Sequence, residues 1–308
     1  MSQRPRPRKV TSSAAAAPSA GAAPVVAPPP KVTVPWVAAA PARGERLVMV
    51  TAYDCPQARQ ADLAGVDLVL VGDSLAMVVL GHPDTLSVTL DEMLHHVKAA
   101  RRGTARALLV ADMPYGSFHL GPEQAVASAL RFVKEGGAQA VKIEGRRPEV
   151  VAALVAAQIP VMAHLGLTPQ SLHALGGYRV QGRGEEAAAA LLAAAQEVAA
   201  AGAFALVLEC VPAALASEVT AALAIPTIGI GAGPGCGGQV LVFHDLLGLE
   251  ERIAPRFVRR YAELGAASRQ ALAAFAADVR GGRFPAAEES YGDPSRPAAE
   301  ATVGALYG

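Results

Sequence analysis

Ala140-Val141-Lys142-Ile143-Glu144 is a short apolar run that carries one lysine and ends on a carboxylate. Three more runs end the same way: Leu68-Val69-Leu70-Val71-Gly72-Asp73, Leu108-Leu109-Val110-Ala111-Asp112 and Ala205-Leu206-Val207-Leu208-Glu209. A strand buried on both faces is apolar along its length, as in a parallel sheet covered by helices. An acid at the C-terminal end of such a strand is costly unless a charge partner or metal meets it. Repetition of the pattern points to one shared site at the C-terminal mouth of a barrel or an open sheet.

Outward from these runs, strand-like and helix-like segments alternate. Further strands read at 47–52, 160–164, 225–230 and 239–244. Helices fill most gaps. Thr89-Leu90-Asp91-Glu92 forms a capping box ahead of a helix that ends near Gly103. Pro122 takes a first helical position, and that helix stops at Gly136-Gly137. Residues 185–201 form the clearest long helix. Eight short strands in about 250 residues, with strict βα alternation, fit a closed (β/α)8 TIM barrel better than an open doubly wound sheet. The short link between strands seven and eight leaves no room for a normal helix. Residues 255–266 and 268–280 read as two closing helices, and the polar tail is expected to be poorly ordered. The predicted organisation is an extension over 1–33, a barrel over 34–282 and a tail over 283–308.

The 308 residues are 52% hydrophobic with a formal net charge of zero. Zero net charge argues against nucleic acid or an anionic membrane as the main partner. No apolar stretch reaches the roughly 18 residues that span a bilayer. Three cysteines, Cys55, Cys210 and Cys236, show no CxxC spacing and suit a reducing, cytoplasmic setting. Residues 1–30 are rich in Pro, Ala, Ser and Arg without any acid or aromatic. That composition predicts disorder. It shares arginines and a lack of acids with transit peptides, but its prolines spoil the amphipathic helix such a signal needs.

Asp73, Asp112 and Glu144 end successive strands, and neighbouring barrel strands lie about 4.8 Å apart. Three acids at one level offer oxygens around a common point, which is hard-cation chemistry and suits Mg2+. Any one of them alone reads equally well as the N-cap of the next helix. No His/Cys pair carries zinc-ligand spacing. Glu209, flanked by apolar residues, is expected to have a raised pKa and to accept a proton. A salt bridge to a barrel arginine is its structural alternative. Lys142 shares the barrel-facing side of its strand with Glu144 and needs an anion, either Glu144 or a substrate carboxylate. Ser74 could hydrogen-bond a bound anion, and no base pairs with it to make a nucleophile. His164 and His244 end strands five and eight, each either site or packing. Gly233 to Gly238 formally matches GxGxxG, but a strand follows it, so it does not read as a dinucleotide site.

Longer stretches then carry a resemblance. Val50-Thr51-Ala52-Tyr53-Asp54, Val71-Gly72-Asp73-Ser74-Leu75, Ala111-Asp112-Met113-Pro114 and Val141-Lys142-Ile143-Glu144-Gly145 resemble ketopantoate hydroxymethyltransferases. So do His164-Leu165-Gly166-Leu167-Thr168-Pro169-Gln170-Ser171, Val180-Gln181-Gly182-Arg183, Leu208-Glu209-Cys210-Val211-Pro212 and Ile228-Gly229-Ile230-Gly231-Ala232-Gly233. The match runs in register from about Val34 to Pro285. The resemblance implies a barrel of the phosphoenolpyruvate and isocitrate lyase group. It implies transfer of a hydroxymethyl group from 5,10-methylenetetrahydrofolate to 3-methyl-2-oxobutanoate, through a Mg-stabilised enolate, on the way to pantothenate. By position, Asp73 and Asp112 match the Mg2+ ligands, with Glu144 completing the set. Asp73, Ser74, Asp112 and Lys142 match the keto-acid contacts, and Glu209 the proton acceptor. A homo-oligomer, a decamer by resemblance, is implied as well.

Some residues depart from the family pattern. Gly237 stands where an Asp is usual and is expected to alter a loop near the folate. Arg146 and Ala163 replace glycines, and Glu289-Ser290-Tyr291 replaces a His-Ser-aromatic. Two other readings compete. A Mg2+-dependent C–C lyase of the same barrel group would need no methylenetetrahydrofolate. A non-catalytic barrel would not be expected to keep Asp73, Asp112, Lys142, Glu144 and Glu209 together.

Overall fold

Successive side chains of a strand point to opposite faces, so a barrel strand that is apolar at every position serves two cores at once. Alternate residues of the second to sixth strands, among them Leu68, Leu70, Leu108, Val110, Ala140, Met162, Ala205 and Val207, pack together inside the barrel. The residues between them, Val69, Val71, Leu109, Ala111, Val141, Ile143, Ala163 and Leu206, pack against the surrounding helices. The structure, a computed structural model, describes residues 30–252 and 255–292. Residues 1–29 of the predicted extension and 293–308 of the predicted tail lie outside the described residues.

The strands are β1 Leu47–Thr51, β2 Leu68–Val71, β3 Leu108–Asp112, β4 Ala140–Glu144, β5 Val161–Gly166, β6 Ala205–Glu209, β7 Thr227–Ile230 and β8 Gly238–Leu241. They close in sequence order into a parallel barrel, with β8 pairing β1 from Leu47↔Gly238 to Val50↔Leu241. Val32 and Val37 plug the floor at the amino ends of the strands, and the Val32 amide bonds Arg106 O at 2.9 Å. Helix Leu90–Gly103 has the predicted capping box, with Thr89 N donating to Glu92 Oε2 at 2.8 Å and Glu92 N to Thr89 Oγ1 at 3.2 Å. Helices Pro122–Lys134 and Glu185–Ala200 also form as the sequence indicates. No helix among the described residues is long and apolar enough to cross a membrane.

Several details differ from the sequence reading. The fifth strand runs two residues past His164, to Gly166. The eighth ends at Leu241, and His244 lies in the short helix Phe243–Leu246. Residues 255–263 form no helix. The amides of Tyr261, Leu264 and Gly265 donate instead to the carbonyls of Leu246, Leu247 and Gly248, which ties this segment back on the chain. Between β7 and β8 the chain descends without a helix. Gly237 therefore lies at the amino end of β8, on the floor, where its carbonyl accepts from Leu47 N at 3.0 Å. It is far along the strand from the mouth, so its departure from the family pattern does not bear on a ligand loop there. Arg146 is tied to Glu197 on helix Glu185–Ala200, Nε to Oε2 at 2.6 Å.

Gly103 marks a close approach of two helices. A Cβ there would stand 2.2 Å from Cys55 O and 2.8 Å from Arg59 N, both backbone atoms of or beside helix Cys55–Leu63. Alanine gains about 1 kcal/mol of helix propensity over glycine, but overpacking against rigid backbone costs about 1–3 kcal/mol. Gly103→Ala is expected to lower the melting temperature by a few degrees, roughly 2–4 °C per kcal/mol. Calorimetry that showed an increase would place the helix pair further apart than described.

Candidate active site at the barrel mouth

The inward-facing positions change character along each strand. On β3 they read Leu108, Val110, Asp112; on β4, Ala140, Lys142, Glu144; on β5, Met162 then His164; on β6, Ala205, Val207, Glu209. The floor is apolar and the rim is charged. Strand register sets the rim neighbours, with Asp112 opposite Lys142, Glu144 opposite His164, and Gly166 opposite Glu209. Asp73 enters from two residues beyond β2. All six residues singled out from the sequence, Asp73, Ser74, Asp112, Lys142, Glu144 and Glu209, line one cavity of about 440 Å3. His164, Tyr178, Arg179, Asp245, Arg252 and Phe257 share that lining.

Lys142 is 4% exposed and its Nζ lies 2.9 Å from Asp112 Oδ1 and 3.9 Å from Glu144 Oε1. The sequence offers Glu144 or a substrate as its anion. The nearer partner is Asp112, because a cross-strand neighbour is closer than the residue two along the same strand. Burial pushes the ammonium's pKa down, but Asp112, Glu144 and Asp73 together hold it above the usual lysine range. Burial drives Asp73 well up, and Asp112 and Glu144 add to the rise. Burial also raises Asp112, against the pull of Lys142. For Glu144 burial is outweighed by His164, Lys142 and the Gln170 amide, and its carboxyl is held below the usual range.

His164 stands between two acids. Its Nδ1 lies 3.5 Å from Glu144 Oε1 and 3.2 Å from Lys142 Nζ, and its Nε2 lies 3.3 Å from Glu209 Oε2. Burial and Lys142 push the imidazole's pKa down, but the two carboxylates outweigh them and hold it at about 9. The partner of Glu209 is thus a histidine, not an arginine or an apolar wall. Ser74 Oγ is hydrogen-bonded to the hydroxyl of Tyr53 at 2.8 Å. His244 packs on Tyr53 with ring centroids 5.5 Å apart. Gln170 lies in the stretch His164–Ser171, and nothing in the sequence gives it a role. It donates from its side chain to Asp73 and from its backbone to Glu144, at 2.9 and 3.0 Å. No local signal marks a glutamine as a clamp between two distant strands.

Among the described residues no three His, Cys, Asp or Glu side chains converge as a preformed cage. Lys142 stands between Asp112 and Glu144. Even so, the donor set suits a divalent cation. Three carboxylates face the charge of Lys142 and a shared His164, and Glu144 Oε1 is buried without a hydrogen bond among the described residues, the nearest nitrogens standing 3.5 and 3.9 Å away. Mg2+ commonly takes one or two carboxylates and completes its shell with water and substrate oxygens. Asp73 and Asp112 fit that use.

A parallel eight-stranded barrel with buried acids at its C-terminal rim is a fold shared with solved structures of the phosphoenolpyruvate mutase/isocitrate lyase superfamily. 2,3-Dimethylmalate lyase, a member of that superfamily, superposes with a TM-score of 0.50 at 21% identity over 83% of this chain and 92% of its own. Phosphonopyruvate hydrolase, solved with oxalate and Mg2+, superposes with a TM-score of 0.53 at 16% identity over 85% of this chain and 93% of its own. At those identities the likeness is one of fold. The chain belongs to the ketopantoate hydroxymethyltransferase family, whose model matches residues 31–287. The 3-methyl-2-oxobutanoate hydroxymethyltransferase of Moorella thermoacetica is 56% identical over 263 residues, 85% of this chain and 98% of that protein.

Removing one partner of a buried charge set costs about 3–5 kcal/mol because the other charges are left uncompensated. Lys142→Met is therefore expected to lower the metal-free melting temperature by on the order of 10 °C. Thermal denaturation with no change in midpoint would mean that the surrounding carboxyls do not need the ammonium.

Proposed function

We propose that this chain transfers a hydroxymethyl group from 5,10-methylenetetrahydrofolate to 3-methyl-2-oxobutanoate, yielding 2-dehydropantoate. The observation that carries the reading is the split of the rim. Asp73, Asp112 and Lys142 gather on β2 to β4, and Glu209 reaches the same cavity from β6, backed by His164.

The order of events follows from this division. Lys142 and Ser74 hold the carboxylate and keto group of the substrate, and Asp73 and Asp112 orient its oxygens. Mg2+ bound by Asp73 and Asp112 would supply Lewis acidity at the keto oxygen and make the C3–H bond more acidic. Glu209 takes the C3 proton through a carboxylate oxygen, and His164 Nε2 at 3.3 Å orients that carboxylate. The electron pair left at C3 forms the new C–C bond to the one-carbon unit, delivered as an iminium of the folate. Water supplies the hydroxyl and gives its second proton to the folate nitrogen, which leaves with the electron pair of its bond to that carbon. Apolar side chains at the cavity wall, among them Leu167, Val180 and Phe257, keep bulk water from the carbanion.

The same reading sets the reaction in the cytoplasm, and the free state of Cys55, Cys210 and Cys236 supports it. It also includes a homo-oligomer, decameric by resemblance. Its support is helix Leu264–Arg280, which buries Gly265 while Leu272 and Phe275 stay exposed.

Glu209→Gln keeps the shape of the side chain and removes the base. It is expected to bind Mg2+ and 3-methyl-2-oxobutanoate normally and to lose C3 deuterium exchange by about 100-fold or more, the share general-base catalysis supplies. Exchange followed by proton NMR in D2O without folate is the direct measurement, and wild-type exchange in the variant would remove Glu209 from this role.

A further inference from the structure

We infer that Gln170 is a positioning residue for the cation site, holding the Asp73 carboxylate with its side-chain amide and the Glu144 carboxylate with its backbone amide. The inference rests on the reading that Asp73 and Asp112 hold a divalent cation.

Gln170 lies in the single 3-10 turn Pro169–Ser171 that follows β5, and it is 5% exposed. Its Nε2 donates to Asp73 Oδ2 at 2.9 Å and to Met113 O at 3.0 Å. Both amide hydrogens are thereby used, and the amide cannot be turned over, because that would set its carbonyl against a carboxylate and a carbonyl. Its backbone N donates to Glu144 Oε2 at 3.0 Å. One residue after β5 thus grips an acid from the end of β4 and another from beyond β2. Asp73 needs such a grip. It lies outside the strand ladder, and its own backbone N donates to Asp112 Oδ2 at 3.2 Å. The chain Asp112–Asp73–Gln170–Glu144 therefore links the three acids without passing through Lys142. With Oδ2 of Asp73 engaged, Oδ1 is the oxygen free to meet a ligand.

The other end of the side chain shows that this is more than space filling. Gln170 Oε1 is buried with no hydrogen-bond partner among the described residues. A buried acceptor left unpaired is unfavourable, and an apolar side chain of the same length would avoid it. The carbonyl is carried because the amide nitrogen is needed where two oxygens require a donor. Groups that orient metal ligands in this way strongly affect metal affinity when removed.

The test compares the full chain with Gln170→Met, which keeps length and removes both the donor and the unpaired carbonyl. Gln170→Ala serves as a second variant, removing the same bonds with a smaller side chain. Mg2+ binding is measured by calorimetry and Mn2+ binding by electron paramagnetic resonance, alongside the melting temperature and the Mg2+ dependence of activity. The expected result is a melting temperature near wild type for Gln170→Met, with the Mg2+ dissociation constant raised about tenfold or more. Activity should return when Mg2+ is raised by the same factor. A purely structural residue would lower the melting temperature and leave the affinity of the folded protein unchanged. In either folded variant, affinity within about twofold of wild type, against the tenfold or more expected of a lost supporting bond, overturns the inference. A wild-type chain that binds neither ion overturns the cation reading itself, and the inference with it.

Discussion

The contact on which the site depends is the ion pair between Lys142 and Asp112, two side chains removed from water and 2.9 Å apart. A lone ammonium or carboxylate at that depth would cost several kcal/mol. It is tolerated because the charges arrive together. Asp112 is brought opposite Lys142 by strand pairing, Glu144 follows on the same face of β4, and His164 is set opposite Glu144 by the next pairing. The charge cluster is therefore a consequence of barrel closure and register. A slip of one residue on any of β3 to β6 would turn its inward set toward the helices.

The barrel also explains why the cluster stays exposed to ligand while remaining out of bulk water. Each of β3 to β6 spends its lower inward positions on apolar side chains and its last one or two on titratable ones. The backbone at the rim is packed tightly enough to hold this. Gly166 has φ +95, and a Cβ there would sit 2.3 Å from Glu209 O. Only glycine permits that approach, and Leu167 N then donates to the same carbonyl at 2.8 Å. The result fixes β5 against β6 just where His164 and Glu209 meet. Glu209 and the histidine beside it are thus positioned by main chain.

Much of the fold was legible because parallel-barrel strands leave a plain trace: short apolar runs, separated by helices with ordinary caps and glycine stops. The Thr89 capping box and the Pro122 helix start are local features and form as the sequence indicates. The reading failed where tertiary contacts replaced local ones. Residues 255–263 carry helical composition, yet the amides of Tyr261 and of Leu264 and Gly265 just beyond are taken by the carbonyls of 246–248. Gly237 reads as a loop residue near a ligand, yet β8 begins beside it at the barrel floor. Strand ends were also uncertain, since His164 and Gly166 are told apart only by pairing with β6.

By itself the sequence determined the strand count, the parallel βα order and the placing of acids at carboxyl ends, because each depends on periodicity and residue type over a few positions. It determined the family as well, through long motifs in register. The tertiary structure alone decided who meets whom: Lys142 with Asp112 ahead of Glu144, His164 between Glu144 and Glu209, and Gln170 between Asp73 and Glu144. Those partners lie 20 to 97 positions apart along the chain or on the neighbouring strand. Their pairing is set by register and closure, which are properties of the whole barrel and leave no local mark on any one of its segments.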